Sequence, residues 1–336
     1  MKITFFCKTK DKTILEKNLF YVQDIDILKK IDKNLIIATK WSEIDYKSDV
    51  IFIWWWSYAI FPVIKSKLLG KKVIITGTFN YDTGSPSDYK KRPYYQKILI
   101  WISLKFASNN IFVSEREYLI FKNKFRKKNI SYIPHGVYID RYKASHERNP
   151  NVLLTISWLE QNNLKRKCVF ETIRAVKILK EEGHKFKLNI VGREGDAVND
   201  LIRFIKENQL NDEVKIFMDV TEKQKIKFLS SCSIYLQPSR YEGFGVAIAE
   251  AMSCGCPIIT SKVGEVPNVV GNAAYMLDDT NPNTIAEGIL KLVHNEELMQ
   301  NYQIKARERV VGLFSVKRRE VGIRKLLNIN EFGVQS

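Results

Sequence analysis

Short runs rich in β-branched and aromatic residues alternate along the chain with longer segments whose apolar positions recur every three or four residues. In the first half, residues 3–6, 35–38, 49–54, 72–76, 110–113 and 130–133 read as strands, with helices at 58–69, 94–107 and 115–125. In the second half the strands fall at 152–157, 187–191, 214–217, 233–237 and 256–260, and the helices near 165–182, 196–208, 221–230 and 246–254. Strand–helix alternation of this kind predicts parallel sheets covered by helices, twice over. The turn IPHGVYIDRY and the polar stretch SHERNPN separate the halves. The expected division is a first Rossmann-like domain over 1–148, a second over 149–315, and a C-terminal helix or tail over 316–336 that crosses back to the first domain. The amphipathic segment 296–328 is expected to be helical throughout.

The chain has 336 residues, more than one hydrophobic core usually covers, which agrees with two domains and a cleft between them. At 45% hydrophobic residues a disordered chain is excluded. Five scattered cysteines form no disulfide framework and no zinc-finger spacing, and the apolar run at the N-terminus is too short for a secretory signal. A cytoplasmic location is expected, at the inner face of the cell membrane if the basic charge has a partner there. The longest uncharged stretch, Val50–Ile64, is too short to span a bilayer and is interrupted by Pro62.

The net charge of +17 is unevenly distributed. Residues 1–150 carry 28 Lys and Arg against 14 Asp and Glu, and residues 151–336 carry 26 against 23. A basic first half suits an anionic partner, such as a membrane leaflet, a pyrophosphate-linked lipid or nucleic acid, with a merely solubilising surface as the alternative. Of these, nucleic acid is not the expected partner.

Candidate chemistry concentrates in PSRYEGFGVAIAEAMSCGCP, residues 238–257. A strand ends near Gln237, a loop carries Glu242, Gly243, Phe244 and Gly245, and a helix begins near Val246 with Glu250 in its second turn. Two glycines let backbone approach a ligand, and a helix N-terminus offers unpaired N–H groups to an anion. Two glutamates eight positions apart reach two groups of one extended ligand, as the two ends of a nucleotide sugar require.

This string resembles the E-x7-E region of family-4-like retaining glycosyltransferases of the GT-B fold. The likeness covers about residues 150–325 and, more weakly, IPHGV and GKKVIITGTFNYD in the first half. It implies an α/β architecture of two facing Rossmann-like domains with parallel sheets and an interdomain cleft. The implied activity is metal-independent transfer of a hexosyl group from a UDP- or GDP-linked donor to a saccharide or lipid-linked saccharide. The implied setting is bacterial surface-polysaccharide assembly, and no cofactor is required. By resemblance Glu242 contacts the donor sugar and Glu250 the ribose. Lys167, with Arg166 beside it, takes the family's basic position facing the diphosphate, and Gly192 lies where backbone nears the donor. The family's upstream arginine is replaced by Ser157-Trp158. Its N-terminal glycine-rich loop is absent, since the first glycine is Gly70. Gly77, Asn80, Asp82 and Trp56 are the acceptor-side candidates, Trp56 because aromatic rings stack on sugars. His135 is expected to be structural. Two alternatives stand beside this one: a sugar phosphorylase on the same fold, and a non-catalytic basic adaptor for membrane or nucleic acid.

Overall fold

The computed structural model describes residues 1–81, 83, 88–144 and 147–329. Asp82 lies outside the described residues. The chain divides into two compact units: Met1–Gly136 with Val316–Ser336, and Val137–Ser315.

The first unit contains β1 (Ile3–Cys7), α1 (Ile14–Lys17), α2 (Leu19–Ile31), β2 (Ile36–Ala38), β3 (Val50–Trp54), α3 (Ile60–Leu68), β4 (Lys72–Gly77), α4 (Tyr94–Phe106), β5 (Asn109–Phe112), α5 (Glu115–Leu119) and β6 (Ile130–Tyr132). The strands form one parallel sheet in the order β2-β1-β3-β4-β5-β6. VIFIW in β3 is buried at every position because neighbours cover both its edges and helices cover its faces. Its register pairs Val50 with Lys72 and Trp54 with Thr76. A right-handed crossover from β3 to β4 and another from β4 to β5 put α3 and α4 side by side on one face of the sheet.

The second unit contains β7 (Asn149–Ile156), α6 (Gln161–Arg166), α7 (Val169–Glu181), β8 (Lys187–Gly192), α8 (Val198–Glu207), β9 (Val214–Met218), α9 (Glu222–Ser231), β10 (Cys232–Gln237), α10 (Val246–Ser253), β11 (Ile258–Ser261), α11 (Val266–Val270), β12 (Tyr275–Leu277), α12 (Pro282–Val293) and α13 (Glu296–Leu313). Its parallel sheet runs β12-β11-β10-β7-β8-β9. β10, buried at every position, ends at Gln237, and β7 beside it ends at Ile156. Loops carrying the candidate residues therefore leave from the carboxyl edge at the centre of the sheet, where open α/β sheets bind ligands.

Two expectations about organisation are corrected. The division falls at Gly136/Val137 rather than near residue 148, because Val137 and Tyr142 are buried with Ile248, Met252 and Phe314 in the core of the second unit. The segment 296–328 is not one helix. α13 stops at Phe314, whose ring packs edge-on against Phe244 and whose carbonyl accepts the Val137 amide at 2.7 Å. The chain then starts α14 (Val316–Leu326), which belongs to the first unit.

α14 is fastened there by Arg319. Its guanidinium, 1% exposed, donates to both oxygens of Asp24 on α2, at 2.6 and 2.9 Å, and to the carbonyls of Ile133 and Pro134. Asp24 also accepts Trp54 Nε1 at 3.0 Å. Every polar atom of this buried pair is engaged, and removing one partner of such a pair costs about 3–5 kcal/mol.

Candidate active site

The turn from β10 into α10 is shaped by glycines. Gly245 caps α10 with φ +88°, a left-handed conformation that side chains resist. Gly264, after β11, also has positive φ, and a Cβ there would stand 2.0 Å from the Glu242 carbonyl oxygen. That oxygen accepts the Glu265 amide at 3.1 Å. The loop holding Glu242 is thus pinned from below by Gly264 and Glu265, neither of which the sequence pattern singled out. Phe244 is buried against Phe314, and Gly243 and Val246 are half-buried at the start of the helix.

Glu242, 8% exposed, receives Arg166 Nη1 at 2.5 Å and Gln237 Nε2 at 2.9 Å. Arg166 also donates to the Tyr241 carbonyl and to Asn163. Lys167 directs its ammonium at the Ile156 carbonyl, 2.8 Å, and at Gln237 Oε1, 3.2 Å. Cys168, left-handed at φ 51°, turns the chain from α6 into α7 and leaves Lys167 beneath the loop. Gln237 is fully buried and joins Lys167 to Glu242 through one amide. The sequence marked it only as a strand end: Glu242 is five residues on, but Lys167 lies on another element, and an amide ending an otherwise apolar strand was the only signal.

Burial holds the Lys167 ammonium down to about 8, with the Arg166 charge adding to it and the Glu242 and Glu250 carboxylates opposing. At neutral pH it is still mainly protonated. Two cations and a carboxylate therefore converge above the carboxyl ends of β7 and β10.

Glu250, 3% exposed, sits one helical turn deeper. Its Oε1 accepts Lys225 Nζ at 2.8 Å and the Tyr142 hydroxyl at 3.0 Å. Tyr142 and Lys225 both also engage Glu222. Burial disfavours the Lys225 charge, but the carboxylates of Glu250 and Glu222 outweigh it and raise its pKa. Burial, then the same two carboxylates, holds the Tyr142 phenol protonated. Oε2 of Glu250 accepts no hydrogen bond among the described residues.

Gly192 is required sterically: a Cβ there would meet the Ser157 carbonyl oxygen at 1.7 Å. The Trp158 ring, where the resembled family has an arginine, is covered by the Arg193 guanidinium at 5.8 Å.

The first-unit candidates fare differently. Trp56 is 4% exposed, packs on Phe79 and Phe112 and donates Nε1 to Asn110, so it is core and not a stacking platform. Gly77, φ +143°, lies against the Trp55 ring, and Asn80, φ 58°, gives its carbonyl to the Tyr89 amide. His135 is buried, bonds Gln23 at 3.1 Å and stacks on Trp54. Burial, with the Arg319 charge, keeps its pKa well below the usual value.

No helix among the described residues is long and apolar enough to cross a membrane. Among solved structures, HepE of Anabaena in complex with UDP superimposes with a TM-score of 0.80 over 98% of this chain and 100% of that one, at 17% identity. This shows the GT-B fold. The capsular polysaccharide biosynthesis glycosyltransferase CapM of Staphylococcus aureus is 30% identical over 45% of this chain and 40% of its own. GDP-mannose:cellobiosyl-diphosphopolyprenol alpha-mannosyltransferase of Xanthomonas campestris is 26% identical over 58% of this chain and 51% of its own. Matches to the first curated relatives span only 40–55% of those proteins' lengths. The family model described as glycosyl transferases group 1 matches residues 139–309, nearly the whole second unit and half of the chain. With its two six-stranded parallel sheets and the Glu242/Glu250 turn within the matched segment, this chain belongs to the glycosyl transferases group 1 family.

Proposed function

We propose that the protein is a retaining glycosyltransferase that moves a hexosyl group from a UDP- or GDP-linked donor to a saccharide or lipid-linked saccharide in polysaccharide assembly. The observation that carries this is the convergence of Glu242, Arg166 and Lys167 beside the N-terminus of α10, with Glu250 a turn further along. The UDP bound to the Anabaena neighbour and the donor and diphosphopolyprenol acceptor named for the Xanthomonas relative support the substrate class.

In this scheme Oε2 of Glu250 accepts from a ribose hydroxyl. The α10 amides and the Arg166 and Lys167 cations meet the diphosphate, and Glu242 meets the donor sugar. The bond between the anomeric carbon and the phosphate oxygen breaks, and its electron pair leaves with the diphosphate. Cationic groups stabilise that developing charge, which is the role a divalent ion plays in other transferases, so transfer is expected to survive chelation. The acceptor hydroxyl adds to the same face of the anomeric carbon and passes its proton to the departing phosphate oxygen. The products are the glycoside with retained configuration and a nucleoside diphosphate.

Incubation with a panel of UDP- and GDP-sugars, scored by nucleotide release and by NMR of the anomeric configuration, tests the proposal. Release with one donor in excess EDTA, giving a retained product, is the expected result. Loss of activity in EDTA restored by manganese overturns the metal-independent mechanism, and phosphate-dependent cleavage of a saccharide without nucleotide indicates a phosphorylase.

A further inference from the structure

α3 and α4 lie side by side in the first unit, and each presents an apolar stripe to solvent. On α3 the stripe is Phe61, Ile64 and Leu68, at 62, 38 and 81% exposure, which is the spacing of one helical face. On α4 it comprises Tyr94, Tyr95, Ile98, Leu99 and Phe106, with the two tyrosines 79 and 63% exposed. Trp41 extends the patch, its ring packed edge-on against Phe61 with centroids 5.0 Å apart. An exposed surface this apolar on adjacent helices marks a site of association.

Charge chooses the partner. Residues 50–81 and 89–114 contain no aspartate or glutamate. The two stripes are bordered by Lys65, Lys67, Lys90, Lys91, Lys97 and Lys105. The Asp88 carboxyl, just before α4, is turned inward to cap the Lys90 amide, and Glu43, near Trp41, takes the Thr39 and Lys40 amides. Two copies apposed through this face would bring their lysines together, which disfavours self-association. An anionic bilayer satisfies both features, since tyrosine and tryptophan favour the headgroup region, aliphatic side chains enter below it, and lysines stay with the phosphates.

We propose that the α3–α4 face of the first unit docks on an anionic lipid bilayer. The N-terminus of α4, with Tyr94 and Tyr95, follows the carboxyl end of β4. Docking therefore holds the ligand-binding edge of the first sheet close to the headgroups, where a lipid-linked acceptor presents its saccharide. That purpose rests on the transferase reading, whereas the binding itself rests on this surface alone.

Sedimentation with vesicles of phosphatidylcholine mixed with phosphatidylglycerol, against phosphatidylcholine alone, tests it. The protein is expected to partition onto the anionic vesicles and to release as salt rises, because exposed charges are screened within about 8 Å at physiological ionic strength. The paired substitutions Phe61→Ser/Leu68→Ser and Tyr94→Ser/Tyr95→Ser are each expected to lower partitioning by about tenfold or more. Their circular dichroism and melting temperature establish that the fold survives exchange of these exposed side chains. Equal sedimentation of the parent and both folded variants overturns the proposal. So does a concentration-dependent dimer that the variants abolish, which would assign the face to a second copy. Nucleotide release without vesicles is read in parallel: its absence would defeat the transferase reading without touching the partition result.

Discussion

Arg166 Nη1 and Glu242 Oε1 stand 2.5 Å apart beneath the turn into α10. Two groups proposed to meet opposite parts of one donor thus satisfy each other before it arrives. On the proposed reading, a diphosphate that draws on the guanidinium is expected to weaken its hold on Glu242 and release the carboxylate for the sugar. Binding and positioning of the donor are then linked steps.

The two glutamates are expected to separate kinetically. Glu242→Ala lowers kcat by about 10²–10³ with little change in nucleotide affinity, the loss associated with one preorganised group at a reacting centre. Glu250→Ala, whose partners Tyr142 and Lys225 do not bond Glu242, Arg166 or Lys167, is expected to weaken nucleotide affinity more than it slows bound substrate. Calorimetric titration with UDP and GDP beside steady-state kinetics distinguishes them; equal, negligible effects of both would remove the assignment.

Lys167 sets a pH limit. Its folded pKa of about 8 lies below the 10.5 of a free lysine. In the free enzyme kcat/KM is expected to fall about tenfold per pH unit above that value, as the cation is lost. A bound diphosphate favours the charged form, so the limb in kcat lies higher. Stability moves oppositely: the cost of burying the charge is full below pH 8 and is relieved between 8 and 10.5, where the unfolded chain holds more protons. A flat profile to pH 10 would show that the lysine is not needed as a cation.

Gln237 is expected to act through its neighbours. Gln237→Leu removes an acceptor from Lys167 and a donor from Glu242, so kcat falls about tenfold and the alkaline limb moves to lower pH. Gln237→Glu moves that limb higher by placing an anion beside the ammonium. Combined with Lys167→Ala, the loss from Gln237→Leu should be less than additive. A purely structural amide would leave the limb in place.

Two glycines give opposite signs. Gly192→Ala drives a methyl into the Ser157 backbone and is expected to destabilise by about 1–3 kcal/mol or more. Gly312→Ala, inside α13 with nothing within 4 Å of the added carbon, is expected to stabilise by about 0.5–1 kcal/mol. Urea unfolding of the two variants measures both.

Most of the sheets and the β10–α10 turn were legible because parallel strands are continuous apolar runs and the loop chemistry is local in sequence. α2 was not. Gln23 and Asp24 interrupt its apolar face, yet both are buried, since their partners His135, Gly136 and Arg319 come from more than a hundred residues away. Gln237 was hidden differently: it ends an apolar strand, and nothing local shows that its amide joins Glu242, five residues on, to Lys167 on another element. Trp56 misled in the opposite direction, because an aromatic at a strand end looks alike whether it faces solvent or, as here, a ring cluster of Phe79 and Phe112. The exposure of the α3 and α4 stripes was not legible either, since sequence alone does not tell which apolar side of a helix the sheet covers.

The return of α14 to the first unit bears on synthesis. Asp24 leaves the ribosome early, but Arg319 follows only after all of the second unit has been made. At about 5–20 residues per second the carboxylate waits on the order of ten seconds or more for its partner. During that interval Asp24 has Trp54 but not Arg319 as a partner, while all of Val137–Ser315 has been made. Nascent chains arrested before residue 316, once the second unit has emerged, are expected to yield a protease-resistant second unit and a cleavable first one. A segment made late would then bring one made early to its final structure.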